Sequence, residues 1–499
     1  MKVKLFKFPY KYMEYENQLL ELTIKSRFSS AEVKSLKNGF ELKFADNICV
    51  DEFKDIPYVY KVQIDECSIT TLQGKLEYSR ANPTDNRQGT RYSTHGLHEY
   101  KGKYNPQIVK GALDYMGVGK SAYILDPFCG SGTTMVECVH HGYPSLGTDI
   151  NPMAVFISNT KIQSLRLDIN YLKRFVNNLV ANGIKYELSN PTESIEFKRL
   201  EYLKKWIPDD TLRILEGTNE ILLQESEDIR NFVRLTMSDL IRDYSNQEPS
   251  DLRIRKRSSP FPEMPFLEMW KQNTEKYIES IKGAQKVKKY DIDSGKAVLC
   301  DIRGDYAVLE NEQFDAIITS PPYATALPYI DTQRISLVWL RLCSPEQIMS
   351  LESSLIGSRE FVSAEKKRWI AELETNREEL PDEINELVDK LFNDLQPTDG
   401  FRKQAVPILL YRYFVDMKRM FVNTHSLIKE GGKFGLVVGN NKTTIGGEKR
   451  MIDTPRLLSL IASECGWKVD ELFPLQTYKR YGINSKNAIN TEILIILHK

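Results

Sequence analysis

Short apolar runs alternate with helical stripes over much of this chain. Ala122–Leu125 and Phe314–Ile318 are brief apolar runs, the latter of the kind buried in the centre of a parallel sheet, and Ser145–Asp149, Lys296–Asp301 and Phe434–Val438 read as further strands. Met135–His141, Leu409–Leu427 and Pro455–Cys465 carry helix-type spacing between them. Together they predict an α/β core of doubly wound type. Val469–Leu475 and Glu492–Leu497 read as a hairpin-like pair at the sheet edge. The rhythm breaks twice. Over 166–290, Leu200, Leu203 and Ile207, then Ile229, Phe232, Val233, Thr236, Met237 and Leu240, recur at three- and four-residue intervals and predict an amphipathic helical insertion. Over 344–404 a second insertion is highly charged (Glu365–Arg368, Glu372–Glu379, Glu383–Asp389) and reads as solvated helices.

Residues 1–80 predict a small β-rich or mixed module without a chemical motif, its strands at Ile24–Phe28, Gly39–Phe44, Val59–Ile64 and Ser68–Leu76. Residues 81–93 are polar and rich in turn formers, as in a linker. The expected organisation is therefore a module at 1–80, core pieces at 81–165, 291–343 and 405–499, and insertions at 166–290 and 344–404.

At 499 residues the chain has room for about two to four domains. A formal net charge of zero lends no overall support to nucleic-acid binding, although a local basic face is what matters there. The seven cysteines include no C-x-x-C pair, which argues against a zinc or disulfide framework and suits a reducing cytosol. No apolar stretch approaches the length of a membrane span, and the start is not signal-like, so the expected location is cytoplasmic. His95 and His98 have a spacing that suggests a metal, but no third ligand is near them in sequence, and no metal is expected.

Two stretches carry candidate chemistry. After the strand at Ala122–Leu125 comes Asp126-Pro-Phe-Cys-Gly-Ser-Gly-Thr-Thr134, running into a helix. Gly130 and Gly132 permit a sharp turn and a close ligand approach, and Thr133 and Thr134 suit a helix start. No Gly-Lys-Ser/Thr follows, so this is not a P-loop. Asp149 stands 23 positions after Asp126 at the tip of the next strand, the place of an acid that binds ribose hydroxyls; Ile150 and Met153 beside it would cover a face of an adenine ring. The second stretch is Phe314-Asp-Ala-Ile-Ile-Thr-Ser-Pro-Pro-Tyr323, a buried strand stopped by two prolines. Ser320 offers a hydroxyl, Pro321 a backbone carbonyl and Tyr323 a flat ring. Two acceptors beside a stacking face suit a planar base with an exocyclic amino group.

The Ser320-Pro321-Pro322-Tyr323 corner resembles motif IV of the amino-methyltransferases of nucleic acids, in the Ser form usual among cytosine-N(4) DNA methyltransferases. The stretch Asp126–Thr134 resembles their motif I, which binds S-adenosylmethionine (AdoMet). Thr94–Val109 is similar to motif X, with Tyr104 and Pro106 in the expected places, and Asp301 stands where motif III meets the adenine amino edge. The resemblance implies a Rossmann-like AdoMet methyltransferase sheet with helical insertions. It also implies Asp126, Phe128, Gly130, Gly132, Thr133, Thr134, Asp149 and Ile150 around the cofactor, and a site-specific DNA methyltransferase acting on a flipped-out cytosine. Adenine-N(6) methylation is the alternative, followed by an RNA methyltransferase and a catalytically inactive nucleic-acid-binding module. The implied partner is DNA, read as double-stranded, with cognate restriction or defence proteins as further candidates. The basic cluster Arg253, Arg255, Lys256 and Arg257, and Lys479 and Arg480 in an aromatic loop, are the expected phosphate contacts.

Overall fold

Five strands open the chain: β1 (Lys2–Phe6), β2 (Glu32–Leu36), β3 (Gly39–Lys43), β4 (Lys61–Ile64) and β5 (Cys67–Thr70). They form an antiparallel sheet in the order β2-β3-β1-β4-β5. The computed structural model describes residues 1–79, 88–188, 191–304, 306–324, 328–360, 363–476 and 491–499. Two expected strands are helical. Ile24 belongs to the helix Glu14–Arg27, because Leu19, Leu20, Thr23 and Ile24 fall on one buried helical face. The run from Ser68 ends at Thr70, where Thr71 accepts a hydrogen bond from the Gly74 amide (3.0 Å) and caps the helix Leu72–Tyr78.

The module does not stand apart. Val3, Leu5, Leu19 and Phe53 share one apolar core with Ile108, Leu113, Ile124, Ile318, Val437 and Leu494 of the rest of the chain. Arg27–Asp114 (2.6 Å) and His141–Asp55 (2.6 Å) pair across the same boundary. The expected linker is likewise largely buried from residue 88 onward, Arg91 excepted: Gln88 donates to Glu16 (2.6 Å), and the Gly89 amide donates to Glu77 (3.3 Å). Its polar residues satisfy buried carboxylates instead of water, which composition alone does not reveal.

The central sheet contains β6 (Ile124–Asp126), β7 (Ser145–Asp149), β8 (Gly295–Leu299), β9 (Phe314–Thr319) and β10 (Ile428–Gly439). A separate hairpin follows, β11 (Asn441–Ile445) with β12 (Glu448–Ile452), and then β13 (Lys468–Gln476) and β14 (Thr491–His498) complete the sheet. The order is β13-β14-β10-β9-β6-β7-β8, with β8 to β10 all parallel and β14 antiparallel to both its neighbours. The last two strands are the antiparallel pair expected at the sheet edge, with β14 lying between β10 and the edge strand β13. This is the doubly wound, Rossmann-like sheet, and its strand order reverses between β6 and β9.

The first insertion builds five helices, from Ile169–Asn182 to Phe266–Val287, around Leu203, Leu212, Leu215, Phe232, Val233 and Trp270. The second insertion departs from the solvated reading. Trp369, Leu373, Ile384, Val388 and Leu391 of Ser363–Thr375 and Asp382–Asn393 pack into the core beside the helix Val406–Leu427. Charges dominate the count, yet the apolar residues keep a helical stripe, and the stripe decides packing. Among the described residues, no helix is long and apolar enough to cross a membrane.

Candidate active site

Where the strand order reverses, the carboxyl ends of β6 and β9 diverge and leave a crevice, the usual ligand place in such sheets. The cleft is open to solvent, with about 910 Å³ of empty space when its mouth is included.

One wall is the turn after β6. Gly130 (φ +48°) and Gly132 (φ +75°) adopt left-handed backbone. A Cβ on Gly130 would lie 3.3 Å from the Tyr100 ring, and one on Gly132 would lie 2.7 Å from Ser158 Oγ and 2.9 Å from Ser158 Cα. Gly132→Ala is therefore expected to lower folding stability by about 1–3 kcal/mol. Gly119→Ala, facing open space, is the control. Thermal unfolding of both variants checks this; equal melting temperatures would refute it.

Asp149 ends β7 beside that turn. Its carboxylate accepts from the Gly130 amide (3.0 Å) and the Asn151 amide (2.9 Å). Burial pushes its pKa up to about 6 against those two bonds. Asp126 lies deeper: Thr319 at the end of β9 donates to it (2.5 Å), as does the Phe128 amide (3.1 Å), and burial raises it to about 6 as well. Asp126 thus ties the ends of β6 and β9 together from behind the cleft.

The opposite wall is the proline corner. Ser320, Pro321, Pro322 and Tyr323 all line the cleft and face Phe128, Gly130, Thr133, Asp149, Ile150, Asp301 and Tyr104. Pro106, Asp126, Gly132 and Thr134 sit behind the lining: Pro106 starts the helix Pro106–Tyr115, and Thr134 bonds the Tyr104 hydroxyl (2.5 Å). Asp301 is held by Arg303 through both oxygens (2.8 and 2.8 Å), and Arg303 reaches on to Asp416 (3.0 Å). Burial favours a higher Asp301 pKa, but Arg303 keeps it below the ordinary value.

Tyr329 follows the proline corner and Asn441 follows the strand Phe434–Val438, so sequence order alone puts both near the cleft; Tyr100, Leu355, Ile356 and Glu492 carry no motif. Tyr100 stacks on Tyr329 (6.1 Å, 26°), and both line the cleft. Leu355 and Ile356 arrive from the second insertion. Glu492 on β14 accepts a hydrogen bond from the Tyr323 hydroxyl, and Asn441 donates to the Ala324 carbonyl, bracing the corner. Only the antiparallel entry of β14 brings residue 492 beside residue 323, so no local signal existed.

The basic cluster divides. Arg257 donates to the carbonyls of Asp243 (2.7 Å) and Ser245 (3.1 Å) and lies over the Phe261 ring (4.4 Å), so it holds its own loop. Arg255 and Lys256 are exposed, Arg255 within 3.6 Å of Asp251. Burial, and then the charges of Arg253 and Arg402, pull the Arg359 pKa below its ordinary value. Arg253 of the first insertion and Arg359 and Arg402 of the second therefore lie close enough to repel one another, in a neighbourhood that also holds Asp331, Glu352 and Glu360. Lys479 and Arg480 lie outside the described residues.

The two histidines also separate. His98 contacts the Glu99 carbonyl (2.8 Å) and lies 3.8 Å from Asp239. His95 does have two further ligand-type neighbours, Glu137 and His140, which the sequence distance concealed.

Residues 8–160 match a family described as DNA methylase. The match begins inside the N-terminal module. The chain is 24% identical over 387 residues to the Type II methyltransferase M.MvaI of Kocuria varians, covering 70% of this chain and 78% of that one. It is 21% identical over 510 aligned positions to the Type II methyltransferase M.BsoBI of Geobacillus stearothermophilus, covering 93% and 95%. An 83-residue stretch is 45% identical to the Type II methyltransferase M.MjaII of Methanocaldococcus jannaschii, covering 16% and 15%.

Proposed function

We propose that this chain, whose residues 8–160 match a DNA methylase family, methylates the exocyclic N(4) of cytosine, extruded from double-stranded DNA, with AdoMet as donor. The observation carrying this reading is one cleft with two unlike walls. A glycine turn and a strand-end carboxylate stand on one side, and Ser320-Pro321-Pro322-Tyr323 on the other.

The chain fits the cofactor. Gly130 leaves room where a Cβ would crowd Tyr100, Asp149 presents a carboxylate beside that turn, and Ile150 and Phe128 supply apolar cover. When bound, AdoMet supplies a methyl group on a positively charged sulfur. Ser320 and the Pro321 carbonyl accept from the amino group and draw its lone pair out of the ring, and Tyr323 stacks on the base. No covalent base adduct is needed, since the amino nitrogen is itself the nucleophile; as it gains the methyl group the S–CH3 bond breaks, a neutral thioether is left, and one amino proton passes to solvent by way of Ser320.

Asp149 accepts ribose hydroxyls in its ionised form. AdoMet affinity is therefore expected to be flat above about pH 7 and to fall about tenfold per unit below about pH 6. Asp149→Asn should flatten that profile; calorimetric titration from about pH 5 to 8 checks both. In folding the sign reverses. The folded carboxyl holds its proton more tightly than an unfolded one near 3.9, so this contribution to stability is present at low pH and lost as pH rises through about 6.

Arg253, Arg255 and Lys256 are proposed to meet DNA phosphates. Replacing all three with Ala should weaken binding uniformly across sequences and reduce the salt slope by up to about 2.7. Filter binding between about 50 and 200 mM salt reads this, and an unchanged slope would remove them from the interface.

The reaction is tested by incubation with methyl-labelled AdoMet and mixed DNA, digestion to nucleosides and mass spectrometry. N(4)-methylcytosine supports the proposal. N(6)-methyladenine would keep the site and replace the base, and label on RNA alone would replace the substrate class.

A further inference from the structure

Behind the glycine turn, away from the cleft, lies a group of side chains that the proposed reaction does not use. Glu137 and His140 project from the helix Thr133–His141, three residues apart and so on the same side. His95 reaches them from the preceding loop. The three are 2%, 0% and 1% exposed, respectively, and their ligand-type atoms all lie within 4.8 Å of one another. His95 Nε2 is 2.8 Å from Glu137 Oε1, and the Tyr92 hydroxyl donates to the same oxygen at 2.9 Å. His140 is the anomaly. Neither of its ring nitrogens has a hydrogen-bond partner, although the residue is fully buried. Buried polar atoms are nearly always satisfied, and an orphaned pair on one ring calls for an explanation.

We propose that His95, Glu137 and His140 form a structural site for a divalent transition-metal ion, zinc by preference, with the Tyr92 hydroxyl as the nearby fourth donor. The donor set decides the class. Two imidazoles with one carboxylate suit zinc and its late first-row neighbours, whereas calcium and magnesium require shells of oxygen. The site is closed, without the open cleft position of a catalytic metal, so its work is mechanical. The loop holding Tyr92 and His95 continues to Tyr100 and Tyr104, which line the cleft; the helix holding Glu137 and His140 begins at Thr133, which lines it too. An ion here fastens the two pieces of chain that frame this side of the cleft. The inference does not rest on the proposed reaction.

The test uses full-length protein without a histidine tag, grown with added zinc. Elemental mass spectrometry is expected to find about one zinc per chain. Cobalt substitution is expected to give visible absorption bands of a low-coordinate site. A strong chelator should lower the melting temperature by about 5 °C or more, and zinc should restore it. His95→Gln and His140→Phe should each lose the metal, while His425→Gln, remote from the site, should keep it. If either ligand variant fails to fold, chelation and re-addition on the unmodified protein decide. Less than about a tenth of an equivalent under zinc saturation, with no thermal shift, would overturn the proposal, as would full metal content in both ligand variants.

Discussion

Ser320→Ala is expected to cut methyl transfer by about a hundredfold or more and Tyr323→Ala by about five- to a hundredfold, each while changing AdoMet affinity by less than about threefold. The two effects have different origins. Tyr323 offers a half-buried ring at the end of β9, and stacking of a base on an aromatic ring is worth about 1–3 kcal/mol. Ser320 contributes an acceptor to an amino group whose charge changes as it attacks, and loss of one such contact costs about a hundred- to a thousandfold. Tyr323→Phe separates ring from hydroxyl. It keeps the stacking face and loses the hydroxyl's bond to Glu492, so it is expected to stay within about fivefold of the parent. Glu492→Gln should match it, since both act on the placement of the ring. Single-turnover rates with labelled AdoMet, alongside calorimetric affinities, read all four variants. Retention of more than about a third of the activity in Tyr323→Ala would move the base to another surface.

The second large effect is on cofactor binding. Asp149→Ala is expected to weaken AdoMet binding by about a hundredfold or more, about 2.7 kcal/mol, with the protein still folded. Removing the carboxylate takes away the ribose acceptor and also frees the Gly130 and Asn151 amides that shape the turn. Asp149→Asn retains one acceptor oxygen and should lose less, about tenfold. Asp126→Asn provides the contrast. That group lies behind the lining and ties β6 to β9 through Thr319, so its loss should register in melting temperature more than in affinity. Calorimetry and thermal unfolding on the same three preparations separate the two roles. An unchanged affinity in Asp149→Ala would place the ribose elsewhere.

Much of the core was readable from local pattern, for definite physical reasons. A strand buried on both faces must be apolar throughout, so Phe314–Ile318 announces itself; two prolines must end it; a turn at positive φ calls for glycine at 130 and 132. These constraints act between neighbours in sequence, and one chain displays them. The helix over Glu14–Arg27 was misread because Ile24 and Phe28 are common in strands, and a short window favours that preference over the longer stripe. The second insertion was misread because charge count outweighed the periodicity of Trp369, Leu373, Ile384 and Val388.

The sequence by itself therefore determined the fold class, the order of its motifs and the chemical types that meet at the two strand ends. Those depend on backbone geometry and on side chains a few positions apart. Tertiary structure alone decided which of these residues face the cleft and which stand behind it, with Asp149 in the lining and Asp126 behind it. It brought Glu492 to Tyr323, packed the N-terminal module onto the sheet, engaged Arg257 within its own loop and set His140 beside His95. Each of those outcomes is a contact between residues far apart in the chain. Such pairings are selected by complementary packing and by the cost of leaving polar groups unsatisfied in the interior, and neither is written in the spacing of any single segment.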